Sequence, residues 1–182
     1  MRPLGLGWPN VLSIGRIALI PIVVVLLGTD HAETRWLAVV VFVVGALSDL
    51  VDGYLARRHE MTTAVGAWLD PLSDKLFVIV PAVALTIGDE FPWWATAVIV
   101  LREVAVSLLR WRLDRGGVSM PASRAGKAKT FSQVLAVGLA IAPLSTDLDP
   151  FVLAVIVVAV VLTVASGLEY LFTERHRQET GS

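Results

Sequence analysis

The sequence predicts an all-α, polytopic membrane protein: a bundle of six transmembrane helices with both termini in the cytoplasm. Three observations carry this expectation. Of the 182 residues, 55% are hydrophobic and only 17% are charged, against ~25% charged in an ordinary soluble domain, and the mean hydropathy is +0.72. The apolar residues fall into six stretches, each near the ~20 residues that a bilayer-spanning helix needs. The basic residues gather on one side of that series.

The first stretch, Val11–Leu27, follows a single charge, Arg2, and is interrupted by Arg16. No small-residue cleavage site follows before Gly28, so it reads as a retained span rather than a signal peptide. The turn TDHAET (29–34) leads to Trp36–Leu55, and Leu69–Ile87 is the third stretch. GDEFP (88–92) separates that one from Phe91–Leu109. The fifth, Phe131–Leu144, is short as an apolar run. The more polar GKAKT segment is expected to complete it, as in a helix whose foot lines an aqueous cleft. STDLDP (145–150) precedes the sixth, Phe151–Phe172. With no internal repeat and no low-complexity linker, a single domain over 1–182 is the simplest account.

Charge orients the series. With the N-terminus inside, cytoplasmic segments hold eleven basic residues, from Arg2 to Arg177, and the opposite side holds only Arg35. The outer turns instead carry Asp30, Glu33, Asp89, Glu90, Asp147 and Asp149, so the positive-inside rule sets both termini in the cytoplasm. Trp8, Trp36, Trp68, Trp93, Trp94 and Trp111 fall near span ends, as an interfacial aromatic belt requires. A net charge of −1 gives no reason to expect nucleic acid as a partner, and the absence of cysteine excludes thiol chemistry.

Against this background four carboxylates stand out: Asp49, Asp52, Asp70 and Asp74. Each costs ~2.5–3.5 kcal/mol at the centre of a membrane helix, so a cluster implies a bound cation. Asp49 lies eight residues before Arg57 and Asp74 eight after Gly66, so both sit ~12 Å above the connecting loop. The spacings i, i+3 and i, i+4 give each pair a common helix face. Oxygen ligands in this number suit Mg²⁺ or Mn²⁺, and two such ions ~3.5–4 Å apart clamp a transferring phosphoryl group. Gly53, Ala56 and Gly66 leave room for a bulky ligand, and Arg57 offers a guanidinium fork for phosphate. The plainer reading, helix-end aspartates paired with Arg57, Arg58 and Lys75, explains the charges without explaining the spacing.

The pattern D-x-x-D-G-x-x-A-R, eight residues, then G-x-x-x-D-x-x-x-D is filled by Asp49, Asp52, Gly53, Ala56, Arg57, Gly66, Asp70 and Asp74 without a departure. It resembles the signature of the CDP-alcohol phosphatidyltransferases. The resemblance implies metal-dependent transfer of a phosphatidyl group from a CDP-linked lipid to an alcohol, with release of CMP. By that analogy Asp49, Asp52 and Asp70 are metal ligands, and Asp74 is the general base, also touching the second ion. Gly53, Ala56, Arg57, Gly66 and the loop residue Thr63 hold the CDP-lipid.

Three further segments are similar to the bacterial phosphatidylglycerophosphate synthase branch of the family. WPNVLSIGRIALIP (8–21) matches its opening helix at Pro9, Asn10, Leu12 and Arg16, with Ser13 in place of threonine. Asn10 and Ser13 are thereby candidates for CDP-lipid contact, although helix initiation accounts for Pro9-Asn10 equally well. REVAVSLLRW (102–111) and SRAGKAKTFSQ (123–133) resemble the same branch, the latter at Gly126, Lys127, Lys129, Thr130 and Gln133. Arg102, Lys127, Lys129 and Arg110 are the candidates for binding an acceptor phosphate. The spacing of Lys127 and Lys129 puts them on different helix faces, and positive-inside charge alone accounts for Arg110.

The implied reaction joins CDP-diacylglycerol and glycerol 3-phosphate into phosphatidylglycerol phosphate and CMP. A homodimer in the bacterial inner or plasma membrane, its active site facing the cytoplasm, is implied with it. Phosphatidylinositol-phosphate synthase and cardiolipin synthase are the rivals with the same chemistry. Outside the class stands a cation-coupled transporter, whose expected pair of interrupted helices in related halves is absent from the sequence.

Overall fold

The computed structural model describes residues 8–29, 31–59, 66–115 and 124–180, with side chains described over 13–29, 31–48, 71–113 and 126–170. The described residues form six α-helices and no strand: α1 (Trp8–Leu27), α2 (Ala32–His59), α3 (Gly66–Ile87), α4 (Trp93–Arg115), α5 (Arg124–Ile141) and α6 (Asp149–Thr180). A 3-10 turn, Thr146–Leu148, precedes α6. Each apolar stretch of the sequence coincides with one helix.

The helix ends follow local chemistry. Helix α4 starts after Pro92, whose carbonyl accepts the Ala95 and Thr96 amides at 3.0 and 3.3 Å. Helix α5 begins at Arg124 and takes in the GKAKT segment, as expected of a helix with a polar foot. It stops at Ile141, short of Leu144, because Pro143 disfavours helical geometry at Ala142. The C-terminus of α3 is a Schellman motif: the Glu90 amide donates to the Leu85 carbonyl at 2.9 Å and the Asp89 amide to Thr86 at 3.2 Å. Asp89 supplies the left-handed residue, with φ 59°. Buried hydroxyls are satisfied by their own helix, as Thr163 shows by donating to the Ala159 carbonyl at 2.6 Å.

The contacts separate into two compact units. The first comprises Met1–Glu90 with Val137–Leu144, and within it α1 packs along both α2 and α3. Arg35 of α2 pairs with Glu90 beyond the end of α3, while Gly45 of α2 meets Phe77 of α3. The pairing index falls on one helix as it rises on the other, so α2 and α3 are antiparallel. Phe42 and Phe77 stack at 5.1 Å with planes 6° apart, an arrangement worth ~0.5–1.5 kcal/mol beyond burial. The second unit comprises Phe91–Ala136 with Ser145–Ser182. In it α4 packs on α6, and the Gln133 amide of α5 donates to Thr163 of α6 at 2.8 Å.

Many large apolar side chains are exposed among the described residues. Val25, Ile87, Leu101 and Phe131 are each at least 70% exposed, whereas Arg16, Glu103 and Lys129 are buried. Among the described residues, one helical segment, Thr146–Tyr170, is long and apolar enough to cross a membrane.

Candidate active site

Helices α2 and α3 carry the aspartate pattern: positions 49 and 52 fall on α2 and positions 70 and 74 on α3. Thr63 lies outside the described residues, as do the side chains of Asn10, Asp49, Asp52, Gly53, Ala56, Arg57, Gly66 and Asp70. Asp74 is described. Its carboxylate Oδ1 accepts a hydrogen bond from Arg16 of α1. The Arg16 side chain is 3% exposed, yet Asp74 keeps 41% of its own surface accessible.

One turn further along α1 and α3 lies an apolar layer that fixes how these helices meet. A Cβ built on Gly45 would stand 2.3 Å from the Phe77 ring and 3.3 Å from Leu19. Leu19 follows Arg16 by three residues on α1, Phe77 follows Asp74 by three on α3, and Gly45 precedes position 49 by four on α2. Residues three or four apart share a helix face. The backbone therefore brings position 49 to the same layer as the Arg16–Asp74 pair, by way of a contact seen one turn away. Ser13, a candidate for CDP-lipid contact, is buried one turn before Arg16.

The acceptor candidates occupy the second unit. Glu103 of α4 accepts from Arg102 at 3.0 Å and also from Lys129 of α5. Arg102 in turn donates to Ser166 of α6 at 3.0 Å, and its stem crosses Gly167, where a Cβ would lie 3.3 Å from Cγ. Lys129 is buried and Lys127 exposed, as the i, i+2 spacing required. Arg110 packs over the Tyr170 ring, 4.9 Å from its centroid, and donates to the Tyr170 hydroxyl. Gln133 is spent on Thr163 and so joins helices. The structure thus brings Arg102 and Lys129 to one carboxylate and leaves Lys127 and Arg110 apart from it.

Residues 6–165 match the CDP-alcohol phosphatidyltransferase family. The chain belongs to that family. It is 37% identical over 165 residues to a probable phosphatidylglycerophosphate synthase of Mycobacterium tuberculosis, covering 89% of this chain and 78% of that protein. A Bacillus subtilis protein named CDP-diacylglycerol–glycerol-3-phosphate 3-phosphatidyltransferase is 36% identical over 177 residues, covering 89% of this chain and 92% of the relative. A Pectobacterium atrosepticum protein of the same name is 37% identical over 175 residues, covering 92% and 94%.

CDP-alcohol phosphatidyltransferases generally depend on a divalent metal, and the donor set here fits one. The pattern offers carboxylates from two neighbouring helices, with no cysteine in the chain and hard oxygen ligands preferred by such ions. Asp74 also remains accessible despite its ion pair. Among the described residues no cluster of three or more potential ligands occurs; Asp74 is the one aspartate of the four whose side chain they include.

For two residues the sequence pattern gives no sign of the partners that the structure shows. Arg16 matches an opening motif, and a lone charge inside an apolar run is itself a functional signal in a membrane helix. Glu103, next to Arg102 in the sequence, takes a second partner in Lys129, 26 residues away, which nothing in its local sequence announces.

Proposed function

We propose that this chain transfers the phosphatidyl group of CDP-diacylglycerol to glycerol 3-phosphate, giving phosphatidylglycerol phosphate and CMP. The observation that carries the reading is the near full-length match to relatives named for that reaction, at 36–37% identity. The complete aspartate pattern on α2 and α3 supports it.

In this reading Asp49, Asp52, Asp70 and Asp74 hold Mg²⁺ or Mn²⁺, as two ions. When bound, the metal neutralises the pyrophosphate of the donor and the charge on departing CMP. The acceptor hydroxyl attacks the lipid-bearing phosphorus, the bond from that phosphorus to the CMP oxygen breaks, and Asp74 takes the hydroxyl proton. Arg16 steadies the Asp74 carboxylate through Oδ1, so that proton transfer needs no reorientation. Gly53, Ala56, Arg57, Thr63, Gly66, Asn10 and Ser13 bind the CDP-lipid. Arg102, Glu103 and Lys129 sum to one positive charge, and Arg102 Nε has no hydrogen-bond partner among the described residues. That excess favours an anionic acceptor, with Lys127 and Arg110 as further cations.

The chain is proposed to cross the bacterial inner membrane six times as one domain, with cytoplasmic termini and active site, and to work as a homodimer. Trp93 and Trp111, 73% and 52% exposed, stand eighteen residues apart on α4. That separation is ~27 Å along the axis, close to the hydrocarbon thickness of a bilayer. The exposed apolar side chains likewise suit a hydrocarbon solvent.

The test is CMP release by purified protein in detergent with Mg²⁺ or Mn²⁺, CDP-diacylglycerol and one acceptor at a time. Release with glycerol 3-phosphate is expected. Release with inositol phosphate or phosphatidylglycerol in its place would reassign the acceptor, and release with none would overturn the enzyme.

A further inference from the structure

We propose that Gly45 is a positioning residue for the metal-binding carboxylates: its missing side chain sets how closely the Asp49/Asp52 helix approaches the Asp70/Asp74 helix. The inference rests on the metal site proposed above and adds a residue outside the aspartate pattern.

A Cβ on Gly45 would stand 2.3 Å from Cζ and 2.6 Å from Cε2 of Phe77, distances at which something must move. An isolated phenyl ring would turn aside, but this one is held. Phe77 is 2% exposed and stacks on Phe42. Phe42 is itself fully buried. On the remaining side Leu19 of α1 closes in, 3.3 Å from the same imagined Cβ. Cores packed at this density transmit strain instead of absorbing it. A methyl at position 45 is therefore accommodated largely by moving α2 away from α3.

The lever is short. Gly45 is ~6 Å along α2 from position 49, and Phe77 is ~4.5 Å along α3 from Asp74. Both steps stay on one helix face. Widening the helices at the apolar layer thus widens the carboxylate layer next to it. Metal–oxygen distances tolerate only ~0.2 Å, so a displacement harmless to folding is large for coordination.

The experiment is Mn²⁺ binding to the purified full-length chain in detergent, followed by the loss of the free-ion electron paramagnetic resonance signal, without turnover. Gly45→Ala should weaken Mn²⁺ binding about tenfold, the range in which supporting residues of metal sites act. Phe77→Leu, which shortens the opposing side chain, should restore it: Gly45→Ala/Phe77→Leu should lie within about twofold of Phe77→Leu alone. If Gly45→Ala fails to fold beside Phe77, Phe77→Met presents the same conflict in milder form. Gly45→Ala should then weaken binding when combined with Phe77→Met and leave it unchanged when combined with Phe77→Leu. Equal effects in every background, or no effect beside Phe77, would overturn the proposal while leaving the metal site standing. A wild-type chain that binds no Mn²⁺ would overturn the metal site, and this inference with it.

Discussion

In the proposed mechanism Asp74 serves both a buried guanidinium, which it meets in the structure, and the proton of an acceptor alcohol. The Arg16 side chain is 3% exposed whereas Asp74 is 41% exposed, so the two members of the pair respond differently to substitution. Asp74→Asn keeps an oxygen for Arg16 and removes the base. It should lower CMP release by about a thousandfold while CDP-diacylglycerol binding, measured on the same preparation, stays within about threefold. Retained turnover would refute the assignment of Asp74 as base. Arg16→Gln removes the buried cation and leaves a carboxylate that water can reach, so the fold should survive. Turnover should drop by about tenfold or more, and Arg16→Lys, which keeps the charge, should recover part of it. Equal losses for Gln and Lys would show that Arg16 acts through its shape alone. The pairing itself was not legible in the sequence, because 58 residues separate its members.

At the level of single elements, helix existence was written in the sequence and helix boundaries only in part. Apolar runs of about twenty residues marked all six helices. Their ends depended on caps and prolines: Pro92 opens α4, Pro143 limits α5, and the Schellman turn at Asp89 closes α3. Asp89 adopts a left-handed conformation that glycine enters at lower cost. Asp89→Gly should therefore stabilise the chain by about 0.5–1 kcal/mol, read as a higher unfolding temperature in detergent. The Gln133–Thr163 bond in the second unit makes the converse case. Gln133→Ala removes one interhelical hydrogen bond and should cost about 0.6–1.7 kcal/mol, lowering the same temperature. Gln133, one of the positions that carry the family resemblance, serves in the structure to hold α5 to α6.

For the whole molecule, the charge pattern makes a prediction that the chain's own composition renders easy to check. There is no cysteine, so single cysteines can be introduced one at a time. In intact cells a membrane-impermeant maleimide should label Thr29→Cys or Ser145→Cys, in the outer turns, and should reach Ser182→Cys only after the membrane is opened. Labelling of Ser182→Cys in sealed cells would reverse the orientation that eleven basic residues on one side require.

What the sequence determined by itself was whatever depends on composition and short spacing. Apolar runs of about twenty residues set six helices, the length and composition that favour a helix over a strand. The eight-position aspartate pattern carried the resemblance to the family and, with it, the donor chemistry, while spacing alone gave each aspartate pair a common helix face. What only the tertiary structure decided was which side chains from distant segments meet. Arg16 reaches Asp74, Glu103 gathers Arg102 and Lys129, and Gly45 admits the Phe77 ring. These encounters depend on how helices are set against one another. That placement is fixed by close packing between segments tens of residues apart, which no local pattern encodes.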